Sequence, residues 1–120
     1  MGRTVSVGDA RFDVTAVSRG DRWVAQADRG DRHDRYGPVF EGDTEAEAID
    51  RVAVWLVWQQ EHEEALRSLQ AAQRVYQRTV AGSAFAAADG PTPDVERDAL
   101  DQMEAARARL EEIRERQPSD

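Results

Sequence analysis

Gly42-Asp43-Thr44-Glu45-Ala46-Glu47-Ala48 divides the chain into two regimes. Gly42 and Asp43 favour a turn, and Thr44 followed three residues later by Glu47 forms a capping box. The threonine hydroxyl accepts an amide of the first helical turn while the glutamate reaches back. No glycine or proline follows until Gly82. The spacing therefore predicts a helix over 44–81, about 37 residues or about 55 Å at 1.5 Å per residue.

Upstream, residues 1–43 read as sheet. Thr4-Val5-Ser6-Val7 precedes a Gly8-Asp9 turn, and Phe12, Val14 and Ala16 then alternate with Asp13, Thr15 and Val17. After Arg19-Gly20-Asp21, residues Trp23, Ala25 and Ala27 alternate with Val24, Gln26 and Asp28. A period of two is the mark of a half-buried strand. The stretch Arg29-Gly30-Asp31-Arg32-His33-Asp34 is polar throughout. Tyr36 to Glu41 makes a last short strand, which Pro38 confines to a sheet edge because proline cannot donate to the ladder. A three- to four-stranded antiparallel meander results.

Downstream, residues 82–92 form a small-residue loop. Thr92-Pro93-Asp94 opens a second helix over 93–117, with proline at the first helical position. Val95, Ala99, Met103, Ala106, Leu110 and Ile113 recur at steps of three and four, and Pro118 ends the helix. Each helix carries acids early and arginines late, which suits its own dipole. Antiparallel pairing sets Arg74 and Arg78 beside the acids of the second helix, and Arg114 and Arg116 beside Glu61, Glu63 and Glu64. The expected seam joins Val80 to Val95, Tyr76 to Ala99, and Leu66 to Ala106 or Leu110. The fold class is α+β: a meander, a long helix and an antiparallel second helix, in one domain over 1–120.

The 120 residues are 40% hydrophobic and 33% charged, an ordinary balance for a folded chain. The net charge of −8 argues against generic attraction to nucleic acid or anionic lipid, both of which need a positive field. Without cysteine there is no disulfide, thiol nucleophile or thiolate metal site. All sixteen basic residues are arginine. The N-terminus leads into no apolar signal region, and the longest apolar run, Val52 to Trp58, is too short to span a bilayer. A soluble cytoplasmic protein with no membrane association is expected.

That run is apolar on every side of its helix, so one sheet face cannot cover it. One side is expected to pack on Phe12, Val14, Trp23 and Phe40. The other needs Ile113 or a second copy of the chain. Val54, Trp55, Val57, Trp58 and Ile113 are therefore the candidate interface residues, and a homodimer is expected.

Three clusters bear on chemistry. Glu61 and Glu64 have the spacing of helical metal ligands beside His62, with His33 elsewhere, but Gln59 stands where a Glu-x-x-His element needs glutamate. The second helix adds Glu104, Glu111 and Glu112 and no histidine, so a solvated acidic face is the simpler reading. Arg29, Arg32 and Arg35, with His33 and Tyr36, suit phosphate contact or base stacking. Asp28, Asp31 and Asp34 are interleaved one for one and cancel the local field. Ser6, Ser18, Ser68, Ser83 and Ser119 lie in no nucleophile context, and no glycine-rich phosphate loop occurs. No cofactor is implied.

Residues 11–58 resemble the HicB-type antitoxin fold. The features are Phe12-Asp13-Val14-Thr15-Ala16, the strand Arg22-Trp23-Val24-Ala25, Tyr36-Gly37-Pro38, and Gly42 through Ala48 opening a helix that lies on the sheet. HicB proteins that repress their own operon usually append a DNA-binding segment, whereas this chain continues as a plain helical hairpin. The resemblance implies a partner-binding or regulatory module without operator binding. A non-enzymatic dimeric interaction module is the leading expectation. The alternatives are a nucleic-acid-associated regulator using the Arg29–Arg35 tip and a small metal-dependent enzyme using His62 and its carboxylate neighbours.

Overall fold

The computed structural model describes residues 2–29, 34–85 and 93–118. The elements run β1 (Gly2–Val7), β2 (Ala10–Arg19), β3 (Arg22–Arg29), β4 (Asp34–Gly42), α1 (Glu45–Phe85) and α2 (Pro93–Glu115). The strands form one antiparallel sheet in the order β1-β2-β3-β4, the meander expected from the alternation. The chain separates into two compact units. One is Met1–Gln60 with Gln117–Asp120, and the other is Glu61–Arg116. Helix α1 contributes to both.

In the first unit, strand alternation sorts side chains by face. Val7, Val14, Ala16, Ala25, Ala27 and Phe40 point inward and are buried with Ala48, Ile49, Val52, Trp55 and Leu56 of α1. Phe12, Trp23 and Tyr36 pack against this core from its rim. The alanines at the centre of β2 and β3 are small enough for a helix bearing leucine and tryptophan to lie close to the sheet. The β2–β3 loop is only Gly20-Asp21, and Gly20 has φ +65°, the positive value that two-residue hairpin loops require.

Strand β4 carries a bulge. Ala25 pairs with Phe40 and Ala27 with Tyr36, so Gly37, Pro38 and Val39 stand opposite Gln26 alone. The Gln26 side chain donates from Nε2 to the Gly37 carbonyl at 2.7 Å, replacing a missing ladder bond. Pro38 thus sits where the sequence allowed it, in a bulge on an edge strand. Gly37 has φ +86°, and a Cβ there would lie 2.5 Å from Cζ3 of Trp55. The absence of a side chain is what lets the indole reach the strand.

At the start of α1, the Glu47 amide donates to Thr44 Oγ1 at 3.1 Å and the Ala48 amide to the Thr44 carbonyl at 3.1 Å. The Glu47 carboxylate accepts from the Asp43 amide at 3.3 Å. The capping box forms, its return arm reaching one residue further back than Thr44.

The helix passes through Gly82 and ends at Phe85, beyond the boundary expected at 81. A single glycine costs about 1 kcal/mol in a helix, and stopping one takes a left-handed cap geometry as well. Gly82 has no positive φ among the described glycines. Residues 86–92, the rest of the expected loop and the Thr92 start signal, lie outside the described residues, as does Met1.

In the second unit, Ala65 and Leu69 of α1 and Ala99, Leu110 and Ile113 of α2 are buried, with Met103 and Ala106 half-buried between them. These α2 positions follow the predicted steps of three and four. Val80 and Val95 remain exposed, so the seam expected at that end is not closed by them. The other end is antiparallel as charge suggested. Arg116 lies 4.0 Å from Glu61, and Arg114 Nε donates to His62 Nε2 at 3.4 Å.

Candidate functional site

The five residues expected at an interface are placed unlike one another. Trp55 is only 8% exposed and sits inside the sheet core. Its ring meets Tyr36 edge-on at 5.7 Å and Trp58 at 6.4 Å, and Tyr36 stacks on Phe12 at 5.1 Å. This aromatic chain is internal packing, and Trp58 is half-buried at its end. Ile113 is 1% exposed within the second unit. Val54 and Val57 are 58% and 49% exposed on the side of α1 turned from the sheet. The sheet therefore satisfies one side of the apolar run, through Val52, Trp55 and Leu56, and leaves the two valines uncovered.

Beside Val54 runs a groove of about 490 Å³, with Phe40, Ala46, Val54 and Pro118 as its apolar lining and Asp50 and Arg51 at its edge. Asp50 accepts from Arg3 Nη2 at 2.7 Å, and Arg51 donates to the Glu41 carbonyl at 2.6 Å while its guanidinium lies over the Phe40 ring. These charges are committed within the chain, and Thr44 and Glu47, which also line the groove, are engaged in the helix cap.

In the arginine cluster, strand register sets acids across from the described arginines. Asp28 pairs with Arg35 and Arg29 with Asp34 across β3–β4, and the Arg29 guanidinium rests 4.8 Å above the Tyr36 ring. Arg32 and His33 lie outside the described residues. At the acidic cluster, Glu61 faces Arg116 and His62 accepts from Arg114. Among the described residues no group of three or more histidine, aspartate or glutamate side chains is placed to hold a metal ion. No helix among them is long and apolar enough to cross a membrane.

A second surface was not singled out by sequence reading. On the sheet face turned from α1, Val17 and Val39 are 55% and 44% exposed, and Val24 is half-buried between them. With Thr15, Gln26 and Arg35 they line a shallow concavity of about 440 Å³. The signal was present in the alternation: Val17 and Val24 occupy the outward register, where the neighbouring positions are Asp13, Thr15, Gln26 and Asp28.

No protein-family model, no curated protein and no solved structure matches the chain.

Proposed function

We propose that the chain is a non-enzymatic, dimeric protein-interaction or regulatory module, its sheet and first helix forming a HicB-like platform. The observation that carries this reading is the pair of uncovered valines on α1, Val54 and Val57, on a helix whose opposite side is fully used by the sheet. β-branched side chains half in water along a rigid helix contribute nothing to the chain's own core, and burying them is favourable by about 25 cal/mol per Å². The HicB-like order of elements supports a regulatory role, and the internal commitment of Arg29 weighs against direct nucleic-acid contact.

Light scattering on the purified chain from about 5 to about 500 µM tests the dimeric part of the reading. The expected result is a mass rising toward twice 13.4 kDa. A constant monomer mass across that range refutes it.

A further inference from the structure

We infer that two copies join through the outer edge of β1, each β1 pairing antiparallel with its counterpart about a two-fold axis at Thr4. The inference deepens the proposed dimer and rests on it. Among the described residues β1 and β4 are the two edges of the sheet, and they differ. β4 carries the bulge at Gly37–Val39, and Pro38 has no N–H to offer, so its outer ladder is broken. β1 pairs with β2 residue for residue from Gly2 to Val7, without a register shift and without proline. A regular edge strand is a template for another strand.

Strand pairing shows which backbone groups of β1 are open. The Gly8-Asp9 loop closes on the pair Val7–Ala10, with Gly8 at φ +59°. In a two-residue hairpin the closing pair exchanges hydrogen bonds, and bonded and non-bonded pairs then alternate along the ladder. Val7, Val5 and Arg3 therefore bond to β2, and the amides and carbonyls of Gly2, Thr4 and Ser6 face outward. With Thr4 at the axis, Thr4 meets Thr4 of the other copy, and Gly2 meets Ser6 on either side. Each of these pairs exchanges two backbone bonds. The edge is thus complementary to itself, as an interface about a two-fold axis must be.

Side chains permit the same register. Arg3 is the one charged residue of β1, and it donates to Asp50 at 2.7 Å. It stands opposite Val5 of the other copy, so no like charges meet across the junction. Val57, one of the two uncovered valines, lies toward this edge. Asp50, the partner of Arg3, precedes Val57 by seven residues, two turns along one face of α1. Gly8, just past the end of β1, lies against the Gln60 side chain. Helix α1 therefore runs alongside β1 over this stretch, with Val57 on the β1 side. Pairing the edges makes one continuous sheet with both α1 helices on the same face, and turns Val57 of each copy toward the other.

Sedimentation equilibrium of the full chain and of Thr4→Pro tests the edge, with circular dichroism reporting whether the variant is folded. Proline at Thr4 removes an amide that faces solvent in a single copy, which an edge strand tolerates, and deletes the bonds at the axis. The wild type is expected to dimerise, and Thr4→Pro to dimerise at least about tenfold more weakly. A second measurement does not depend on proline being accepted. The chain has no cysteine of its own. Thr4→Cys sets the two thiols on directly opposed residues with Cα atoms about 5.5 Å apart, within disulfide reach. Ser6→Cys sets them about 14 Å apart along the strands, out of reach. On oxidation Thr4→Cys is expected to form a covalent dimer at least about tenfold faster than Ser6→Cys. A wild type that stays monomeric overturns the dimeric reading and this inference with it. Wild-type affinity in folded Thr4→Pro overturns the β1 edge alone and leaves the dimeric reading standing. Cross-linking no faster in Thr4→Cys than in Ser6→Cys overturns the pairing about Thr4.

Discussion

Replacing Gly37 by alanine probes the contact on which the packing of α1 against the sheet turns. Two costs add. The backbone at Gly37 has φ +86°, and an L-residue held at positive φ costs about 1–2 kcal/mol. The new methyl would also lie 2.5 Å from Cζ3 and 2.7 Å from Cη2 of Trp55, well inside contact distance. The indole is 8% exposed and wedged between Tyr36 and Trp58, so it has little room to retreat. Forcing a methyl into a filled core costs about 1–3 kcal/mol. The sum is about 2–5 kcal/mol, a large share of the 5–15 kcal/mol typical of a domain. Gly20→Ala supplies the control, because Gly20 has φ +65° and nothing within 4 Å of the added Cβ. It is expected to lose about 1 kcal/mol from backbone strain alone. Urea unfolding followed by tryptophan fluorescence reads both variants, and the difference between them isolates the Trp55 contact. Equal losses in the two variants would show that the ring does not bear on Gly37 and would refute the packing argument.

Thr44→Ala removes the hydroxyl that accepts the Glu47 amide and is expected to lower stability by about 1 kcal/mol in urea, the usual value of a helix cap. No change in the urea midpoint would mean that the cap contributes nothing. Leu110→Ala empties a site 2% exposed and is expected to cost about 2–5 kcal/mol. Hydrogen exchange should show protection falling in α2 and in α1 beyond Glu61 by more than in β2 and β3, since compact units open separately; a uniform loss across the chain would contradict that division.

The parts of the fold that were legible in the sequence are those fixed by local pattern. Thr44 and Glu47 are three residues apart and cap the same turn, so the start of α1 could be read directly. The steps of three and four from Ala99 to Ile113 needed only a facing apolar helix to be realised. What was not legible depended on pairings between distant residues. Gly82 resembled a helix stop, yet a stop is a backbone conformation and not a residue type. Trp55 was among the residues expected at an interface, but Gly37, eighteen positions earlier, opens the space that takes it in. The packing of α1 on β4 brings those two together. The Arg29–Arg35 cluster illustrates the opposite case. Acids are interleaved with these arginines in the sequence, and the register sets Asp28 across from Arg35 and Asp34 across from Arg29.

Net charge alone hides how unevenly charge is spread along the chain. A value of −8 describes the helices, since residues 1–43 contribute only −1 to it. Within the sheet, alternation divides each strand into an inward and an outward set. The outward set mixes both signs around its valines: Arg35 stands across from Asp28, Arg22 pairs with Glu41 and Asp43, and Val17 and Val24 lie level with each other between them. A solvated face needs only polarity. It does not need valines in its middle. The outward register of a strand thus carries as much information as the inward one once pairing is known. In this chain the inward residues account for how α1 is held, while Val17 and Val39 of the outward set remain exposed.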